Sequence, residues 1–272
     1  MRTARPSDQP PAPLGVVPAL AVGLTAGGMA GFFGVGGGTI IVPALVWLGL
    51  DQRRAAATSL AAIVPAAVAA AVPYALWGRV DWAAAGLLVV GVVVGARIGA
   101  RLLAGLPEAI LRWGFACFLA LVAVTQFVSF PGRDGHIALT WPVAGGLVGL
   151  GLATGVVAAL LGIGGGLVVV PALSLVFGAG DLLARGTSLV MIIPGAVSGT
   201  IKNQANRLVN LRLAALIGLP AAAATPLGSL AARHLSPQVN TVLFGVYLAA
   251  LVARSVYAAW PRRRPPDEPT AA

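Results

Sequence analysis

Ten apolar runs, separated by short polar stretches, constrain this fold more than any other feature of the sequence. They cover about 14–33, 39–50, 54–77, 82–104, 108–130, 140–161, 167–178, 182–205, 211–232 and 236–260. Most are long enough to cross the hydrocarbon core of a bilayer as helices, which takes about 20 residues. Charged residues make up only 10% of the chain, against about 25% in a soluble domain. An all-α integral membrane protein with about ten hydrophobic segments is predicted.

A glycine-rich motif occurs twice and indicates an internal duplication. The first copy, GVGGGTIIVPAL, covers residues 34–45, and the second, GIGGGLVVVPAL, covers 162–173, with eight of twelve positions identical. The match continues downstream, where Thr58-Ser59-Leu60 answers Thr187-Ser188-Leu189. Two membrane repeats, 14–130 and 140–260, are predicted, joined by a loop at 131–139 and flanked by disordered cytoplasmic tails at 1–13 and 261–272. Five segments per half is an odd number, so the second half enters the membrane in the opposite sense, as an inverted repeat.

The distribution of basic residues predicts the topology. With the N-terminus inside, 14 of the 18 Lys and Arg residues fall on the cytoplasmic side, and Arg79, Arg133, Arg185 and Arg233 fall outside. Cytoplasmic loops are enriched in Lys and Arg, so both termini are predicted to be cytoplasmic. The same bias explains the net charge of +10 without a nucleic-acid partner.

Two of the segments, 39–50 and 167–178, are too short to span, since twelve residues rise only about 18 Å. Each follows a glycine cluster, and irregular backbone at membrane depth is tolerated only beside protein or a water-filled cavity. The first amides of a helix lack intrahelical partners and lie at the positive end of its dipole. Two such helix starts, meeting from inverted halves, suit a small anion. The predicted substrate-binding residues at these starts are Gly36, Gly37, Gly38, Thr39, Gly164, Gly165, Gly166 and Leu167.

Polar residues within the runs give further candidates. Thr58, Ser59 and their repeat mates Thr187 and Ser188 are predicted to support the cavity, although hydroxyls in helices often bond only their own backbone. Asn203 belongs to a polar cluster at 202–206 that either helps to bind an anion or is an ordinary cytoplasmic helix end. Glycine clusters also serve close helix packing. Two copies, each before a short helix and each followed by a proline, favour broken helices instead.

Several kinds of chemistry have no support in the sequence. The acidic residues Asp51, Asp81 and Asp181 fall at segment starts and are predicted to be helix caps. A phosphate-binding lysine motif, a nucleophile–base pair and a cluster of metal ligands are all missing from the sequence. No catalytic residue, no metal and no cofactor is therefore predicted, and the chain is predicted not to be an enzyme.

The paired GxGGGxxxVPxL segments, together with the GARIGARLLAGLP stretch at 95–107, resemble the TauE/SafE family of sulfite and sulfonate transporters. The resemblance covers about residues 14–260. It implies a permease of the inner membrane for small sulfur-containing anions such as sulfite or an organosulfonate, working by secondary transport and exporting its substrate. Within the duplication, Thr39 is replaced by Leu167, so the two half-sites are not chemically identical.

The prediction is therefore a secondary transporter of a small anion, embedded in the lipid bilayer, with protons as a possible coupling ion. One half rocks against the other, and Gly37→Leu or Gly165→Leu is expected to abolish transport while leaving membrane insertion intact. Two alternatives remain open. One is an anion facilitator without a coupling ion, and the other is a membrane module that assembles or recruits an enzyme.

Overall fold

The described part of the chain is built of α-helices, without strands. The structure, a computed structural model, describes residues 15–128 and 135–259. Its helices are α1 (Val16–Phe33), α2 (Gly38–Trp47), α3 (Gln52–Leu76), α4 (Trp82–Gly105), α5 (Glu108–Val128), α6 (Trp141–Leu161), α7 (Gly166–Leu175), α8 (Asp181–Ala205), α9 (Leu211–His234) and α10 (Pro237–Ala259). The predicted all-α fold is confirmed, with one helix for each apolar run. The predicted tails, 1–13 and 261–272, and positions 131–134 of the predicted loop lie outside the described residues.

The described helices differ in their ability to span a bilayer. Six of them, α1, α3, α4, α6, α8 and α9, are long and apolar enough to cross a bilayer. The short helices α2 and α7 have 10 residues each, so each rises only about 15 Å, half the thickness of a hydrocarbon core. The sequence predicts that they extend to residues 50 and 178, but the structure ends them at Trp47 and Leu175. Gly49 and Gly178, with φ values of 98° and 71°, turn the chain there.

Small residues bring the first helix of each half against the fourth helix of the other half. α1 packs along α9, and α4 packs along α6. A Cβ atom at Gly27 would overlap the carbonyl oxygen of Ala221, and one at Gly95 would overlap that of Leu152. Helices in lipid gain little from hydrophobic burial against each other, so close backbone approach of this kind supplies much of their association.

The helices α3 and α8, which hold equivalent positions in the two halves, run antiparallel to each other. A Cβ atom at Gly199, late in α8, would lie 2.5 Å from Leu60 Cδ2, early in α3. One at Gly186, early in α8, would lie 3.0 Å from the Cβ of Tyr74, late in α3. Opposite direction of equivalent helices is what an inverted repeat requires. The orientation of the two halves in a bilayer stays a prediction.

Two of the three predicted acidic caps are present. The carboxylate of Asp51 accepts a hydrogen bond from the amide of Arg54 at 2.8 Å, and that of Asp81 accepts one from Ala84 at 2.9 Å. The prediction for Asp181 is wrong, because extended Gly180 occupies the cap position and Asp181 is the first helical residue of α8. Its carboxylate is consequently turned into the protein, where it is buried.

Candidate functional site

The glycine loops, defined as residues 34–38 and 162–166, connect α1 to α2 and α6 to α7. Each begins with a glycine at φ 71°, Gly34 or Gly162, which ends the preceding helix. Two more glycines in each loop have positive φ values, 81° and 74° in the first and 87° and 94° in the second. Side chains make this conformation costly. The repeated glycines are therefore needed for the path of the backbone.

The two glycine loops cross each other in backbone contact and are buried along their whole length. A Cβ atom at Gly38 would overlap the carbonyl oxygen of Gly162, and one at Gly166 would lie 2.6 Å from the carbonyl oxygen of Gly34. The contact is reciprocal, because the end of each loop meets the beginning of the other. The structure thus brings the six glycines of the predicted site together.

Two isoleucines at equivalent repeat positions pack on the crossing point. A Cβ atom at Gly36 would lie 3.2 Å from Ile63 and 3.4 Å from Ile192, and one at Gly164 would lie 3.4 Å from the same two side chains. Ile63 belongs to α3 and Ile192 to α8, and both side chains are buried. The crossing is therefore enclosed by apolar groups from both halves.

The helix starts at the glycine loops carry no side-chain cap. Gly37 and Gly165 are the N-cap residues of α2 and α7, and at neither helix start does a side chain of the described residues accept a hydrogen bond from the first amides. The carbonyl oxygen of Gly37 accepts from the amides of Ile40 and Ile41 at 3.1 and 3.2 Å. The amides at positions 38 and 39, and at 166 and 167, belong to the first turn and have no intrahelical partner. Both starts combine free donors with the positive end of a helix dipole.

The residues after the two N-caps differ between the halves. The hydroxyl of Thr39 lies 2.6 Å from the hydroxyl of Tyr247 on α10, whereas its counterpart Leu167 is a buried apolar residue. Tyr247 in turn stacks on Phe33 with a centroid distance of 5.5 Å. The first half-site therefore has a polar side chain anchored by α10, and the second does not.

Ser59 and Ser188 bind the glycine loop of the opposite half. The hydroxyl of Ser59 donates to the carbonyl oxygen of Gly162 at 2.8 Å, and that of Ser188 donates to Gly34 at 3.4 Å. Both serines are completely buried. The structure places them beside the loops, with their hydroxyls on backbone carbonyls. A part in substrate binding stays a prediction.

Thr58 and Thr187 lie farther from the glycine loops and join the halves at the starts of α9 and α4. The hydroxyl oxygen of Thr58 accepts from the amide of Asn210 at 3.2 Å, and that of Thr187 accepts from the amide of Asp81 at 3.0 Å. Both threonines are completely buried. These hydrogen bonds give the two side chains a structural role, and their predicted support of a cavity stays a prediction.

Asn203 stands apart from the polar cluster in which the sequence places it. It is the one residue of the 202–206 cluster that is buried. Neither its amide nitrogen nor its carbonyl oxygen has a hydrogen-bond partner among the described residues. Leaving a buried polar group unpaired costs about 1–3 kcal/mol. An amide with both atoms open is therefore available to a polar ligand.

A buried ion pair that the sequence analysis missed lies beside the first glycine loop. Arg185 Nη2 lies 4.0 Å from Asp181 Oδ2, and the two residues are only 6% and 2% exposed. Arg185 Nη1 donates to the carbonyl oxygen of Phe32 at 2.6 Å, and the hydroxyl of Tyr74 donates to that of Gly31 at 3.1 Å. The charge distribution assigns Arg185 to the outer side through its nearest loop, whereas the structure places it within α8 and buries it.

Comparison with known proteins identifies the family. The sequence matches the family described as Sulfite exporter TauE/SafE over residues 1–125 and 147–272. The chain belongs to the TauE/SafE family. The paired glycine motif, on which the resemblance rested, is thus a valid signature here, and the predicted membership is confirmed.

Curated TauE/SafE relatives are named as transporters. A "Probable membrane transporter protein" of Haemophilus influenzae is 31% identical over 163 residues, which cover 57% of this chain and 61% of the relative. The "Probable membrane transporter protein YunE" of Bacillus subtilis is 24% identical over 260 residues, which cover 87% of this chain and 95% of the relative. No solved structure matches the chain. This TauE/SafE chain is therefore a multi-pass membrane protein of a transporter family.

Three residues that bear on the TauE/SafE site escaped the sequence analysis. Asp181 and Arg185 are spaced four apart at the start of an apolar run, which was a visible signal for a pair on one helix face. Tyr247 gave a weaker signal, as one of two tyrosines in the last run, the other being Tyr257. Its partner Thr39 lies 208 positions away, and only the tertiary fold joins them.

Proposed function

We propose that this TauE/SafE chain transports a small anion and binds it through backbone amides of the two glycine loops. One observation carries the proposal: two uncapped helix starts, one from each half, meet at a buried crossing. Helix N-termini with free amides bind anions without a cationic side chain. Glycine also lets a ligand approach the backbone closely.

The packed glycine loops correspond to a state without room for a ligand between them. Backbone of one loop touches backbone of the other, so an anion gains access to the amides only when the halves move apart at the crossing. Transporters built from inverted repeats achieve this by rocking one half or bundle against the other. Asn203, with both polar atoms unpaired among the described residues, is a further polar group that the moving anion could bind.

The substrate class is proposed from the family. Its description names sulfite export, and a sulfite or organosulfonate oxyanion offers several acceptor oxygens to the amides at positions 36–39 and 164–167. Export across the cell inner membrane, with both termini in the cytoplasm and protons as the coupling ion, completes the proposal. The charge bias supports this orientation and becomes 14 against three once buried Arg185 is left out of the loops.

Flux of radiolabelled sulfite in liposomes that contain the purified protein tests the function. The expected result is flux that a proton gradient accelerates and that accumulates sulfite against its own gradient. Flux that only equilibrates sulfite would favour an uncoupled facilitator. If sulfite, sulfate, taurine and sulfoacetate all fail to move or bind, the proposed anion transport is wrong.

Gly38→Ala tests the site, with Gly149→Ala as its matched control. Gly38 has an ordinary helical φ, so its added Cβ acts only by overlapping the opposite loop, whereas a Cβ at Gly149 in α6 meets nothing within 4 Å. Gly38→Ala is expected to lower sulfite flux at least tenfold in protein that still inserts and remains monodisperse, and Gly149→Ala is expected to transport normally. Normal flux in both variants would remove the glycine loops from the site.

A further inference from the structure

One cationic side chain is buried among the Lys and Arg residues whose burial the structure describes. Arg185 is 6% exposed, whereas every other Lys or Arg side chain with described burial is at least partly exposed. Burying a guanidinium is costly unless its charge and its donors are satisfied. A buried arginine in a membrane-spanning helix therefore marks a functional site.

The hydrogen bonds of this arginine are incomplete. Nη1 donates to Phe32, but Nε has no partner, and neither oxygen of the Asp181 carboxylate accepts a hydrogen bond from the described residues. At 4.0 Å, the pair is held by charge attraction without the short bidentate geometry that arginine and carboxylate usually adopt. The Nε donor of the guanidinium is thus left open, beside a carboxylate that pairs with it poorly.

The position of Arg185 connects it with the proposed anion site. A Cβ atom at Gly34 would lie 2.7 Å from the Cβ of Arg185, so the arginine packs directly on the first glycine loop. Ser188, one turn later on α8, donates to the carbonyl oxygen of the same glycine. Arg185 therefore stands at the edge of the loop crossing, on the side where α8 begins.

The other half offers no equivalent charge. The repeat register that pairs Thr58 with Thr187 places Gln52 opposite Asp181 and Ala56 opposite Arg185. The backbone arrangement is conserved between the halves, because Ala56 packs on Gly162 as Arg185 packs on Gly34. The glycine crossing is thus flanked by the cation of Arg185 on one side and by the methyl group of Ala56 on the other.

We propose that Arg185 is a substrate-binding residue, which contacts the anion where the start of α8 packs on the first glycine loop. The Asp181 carboxylate pairs with its guanidinium when no substrate is bound. This inference rests on the proposed anion transport and adds a charged side chain to the proposed anion site. The substrate oxyanion competes with the Asp181 carboxylate for the same donors. Planar, bidentate donation from arginine suits a sulfite or sulfonate group.

Sulfite binding to the purified full-length protein, measured by calorimetry in detergent, tests the proposal without relying on flux. Arg185→Gln is expected to raise the half-saturating sulfite concentration at least tenfold. Arg185→Lys is expected to raise it less, because the ammonium keeps the charge but lacks the bidentate fork of donors. Asp181→Asn is expected to lower the half-saturating concentration severalfold, because the competing negative charge is gone. Arg101→Gln removes the same charge from an exposed position and is expected to leave binding unchanged.

Arg185→Gln leaves Asp181 buried without a counter-ion, which can unfold the protein. The double variant Asp181→Asn with Arg185→Gln removes both charges and keeps the test decisive if the single variant is unstable. Wild-type affinity in the folded double variant would overturn the role of Arg185. If Gly38→Ala abolishes binding while both Arg185 variants bind like wild type, the inference fails and the proposed function stands. If wild type binds none of sulfite, sulfate, taurine and sulfoacetate, both fail.

Discussion

Single hydroxyl groups hold the two halves together at the residue scale. Ser59 and Ser188 bind carbonyl oxygens of the opposite glycine loop, and Thr58 and Thr187 bind amides at the starts of α9 and α4. The sequence could identify these four as a repeated set. It could not show their partners, because each hydrogen bond joins residues more than 100 positions apart.

Removing one of these hydroxyls is expected to destabilise the fold. Ser59→Ala leaves the buried carbonyl oxygen of Gly162 without its side-chain donor, which costs about 1–3 kcal/mol. The thermal midpoint of the protein in detergent measures this loss. Thr25→Ala is the control, since the Thr25 hydroxyl is exposed and binds only the backbone of its own helix. Equal midpoints for the two variants would contradict a structural role for Ser59.

The Thr39–Tyr247 hydrogen bond links α10 to the start of α2. The effects of substituting these two residues on the free energy of unfolding are therefore expected to be non-additive. Thr39→Val and Tyr247→Phe each remove one partner of a 2.6 Å contact. If the contact stabilises the fold, the double variant loses less than the sum of the single variants, by about 0.5–1.5 kcal/mol. Chemical denaturation of all four proteins gives this difference. Strict additivity would show that the hydroxyls act independently.

Helix positions are the part of the structure that the sequence predicts best. All ten apolar runs are helices, and the long helices end within two residues of their predicted ends. Apolar length and glycine clusters carry that information locally. Burial of charge is not local. Asp181 was predicted to be a cap, but Gly180 holds that position, and the burial of Arg185 could not be predicted because α1 and α3 cover the start of α8.

Neighbouring glycines in α1 are expected to respond differently to the same substitution. A Cβ atom at Gly27 would overlap the backbone of α9, whereas one at Gly28 meets nothing within 4 Å. Gly27→Val must separate the two helices and is expected to cost about 1–3 kcal/mol or more, and Gly28→Val much less. Size-exclusion profiles and thermal midpoints compare the two variants. Similar behaviour would contradict backbone-to-backbone packing between α1 and α9.

At the scale of the whole molecule, the duplicated backbone carries unequal chemistry. Equivalent helices have matching lengths, 10, 25 and 24 residues for the second, third and fourth of each half. The side chains beside the crossing differ, with Thr39 against Leu167 and Arg185 against Ala56, and farther along α8 and α3 Asn203 stands against Tyr74. The glycine loops could be predicted from repeated residues, whereas the asymmetric contacts required the assembled fold, and the inverted arrangement of two repeats stays a prediction.

Chemical labelling of single cysteines tests the predicted orientation of the protein in the membrane. In a Cys117→Ser background, a cysteine replacing exposed His234 is expected to react with an impermeant maleimide on intact cells, because that helix end is predicted outside. A cysteine replacing exposed Gln204 is expected to react only after permeabilisation, because basic residues favour the cytoplasmic side. The reverse pattern would invert the topology, and labelling of both on intact cells would reject the helix count between them.

The crossing of the glycine loops has a consequence for how specificity diverges among relatives. The proposed binding atoms are peptide amides, which every residue except proline possesses, and most lie where glycine is required by backbone conformation or by contact with the opposite loop. Scanning by side-chain truncation cannot remove them, and mutation has few ways to tune them. Adaptation to a new substrate is therefore expected to accumulate in the surrounding side chains, so a relative's preference is better read at the equivalents of positions 39, 185 and 203 than in the glycine motif itself.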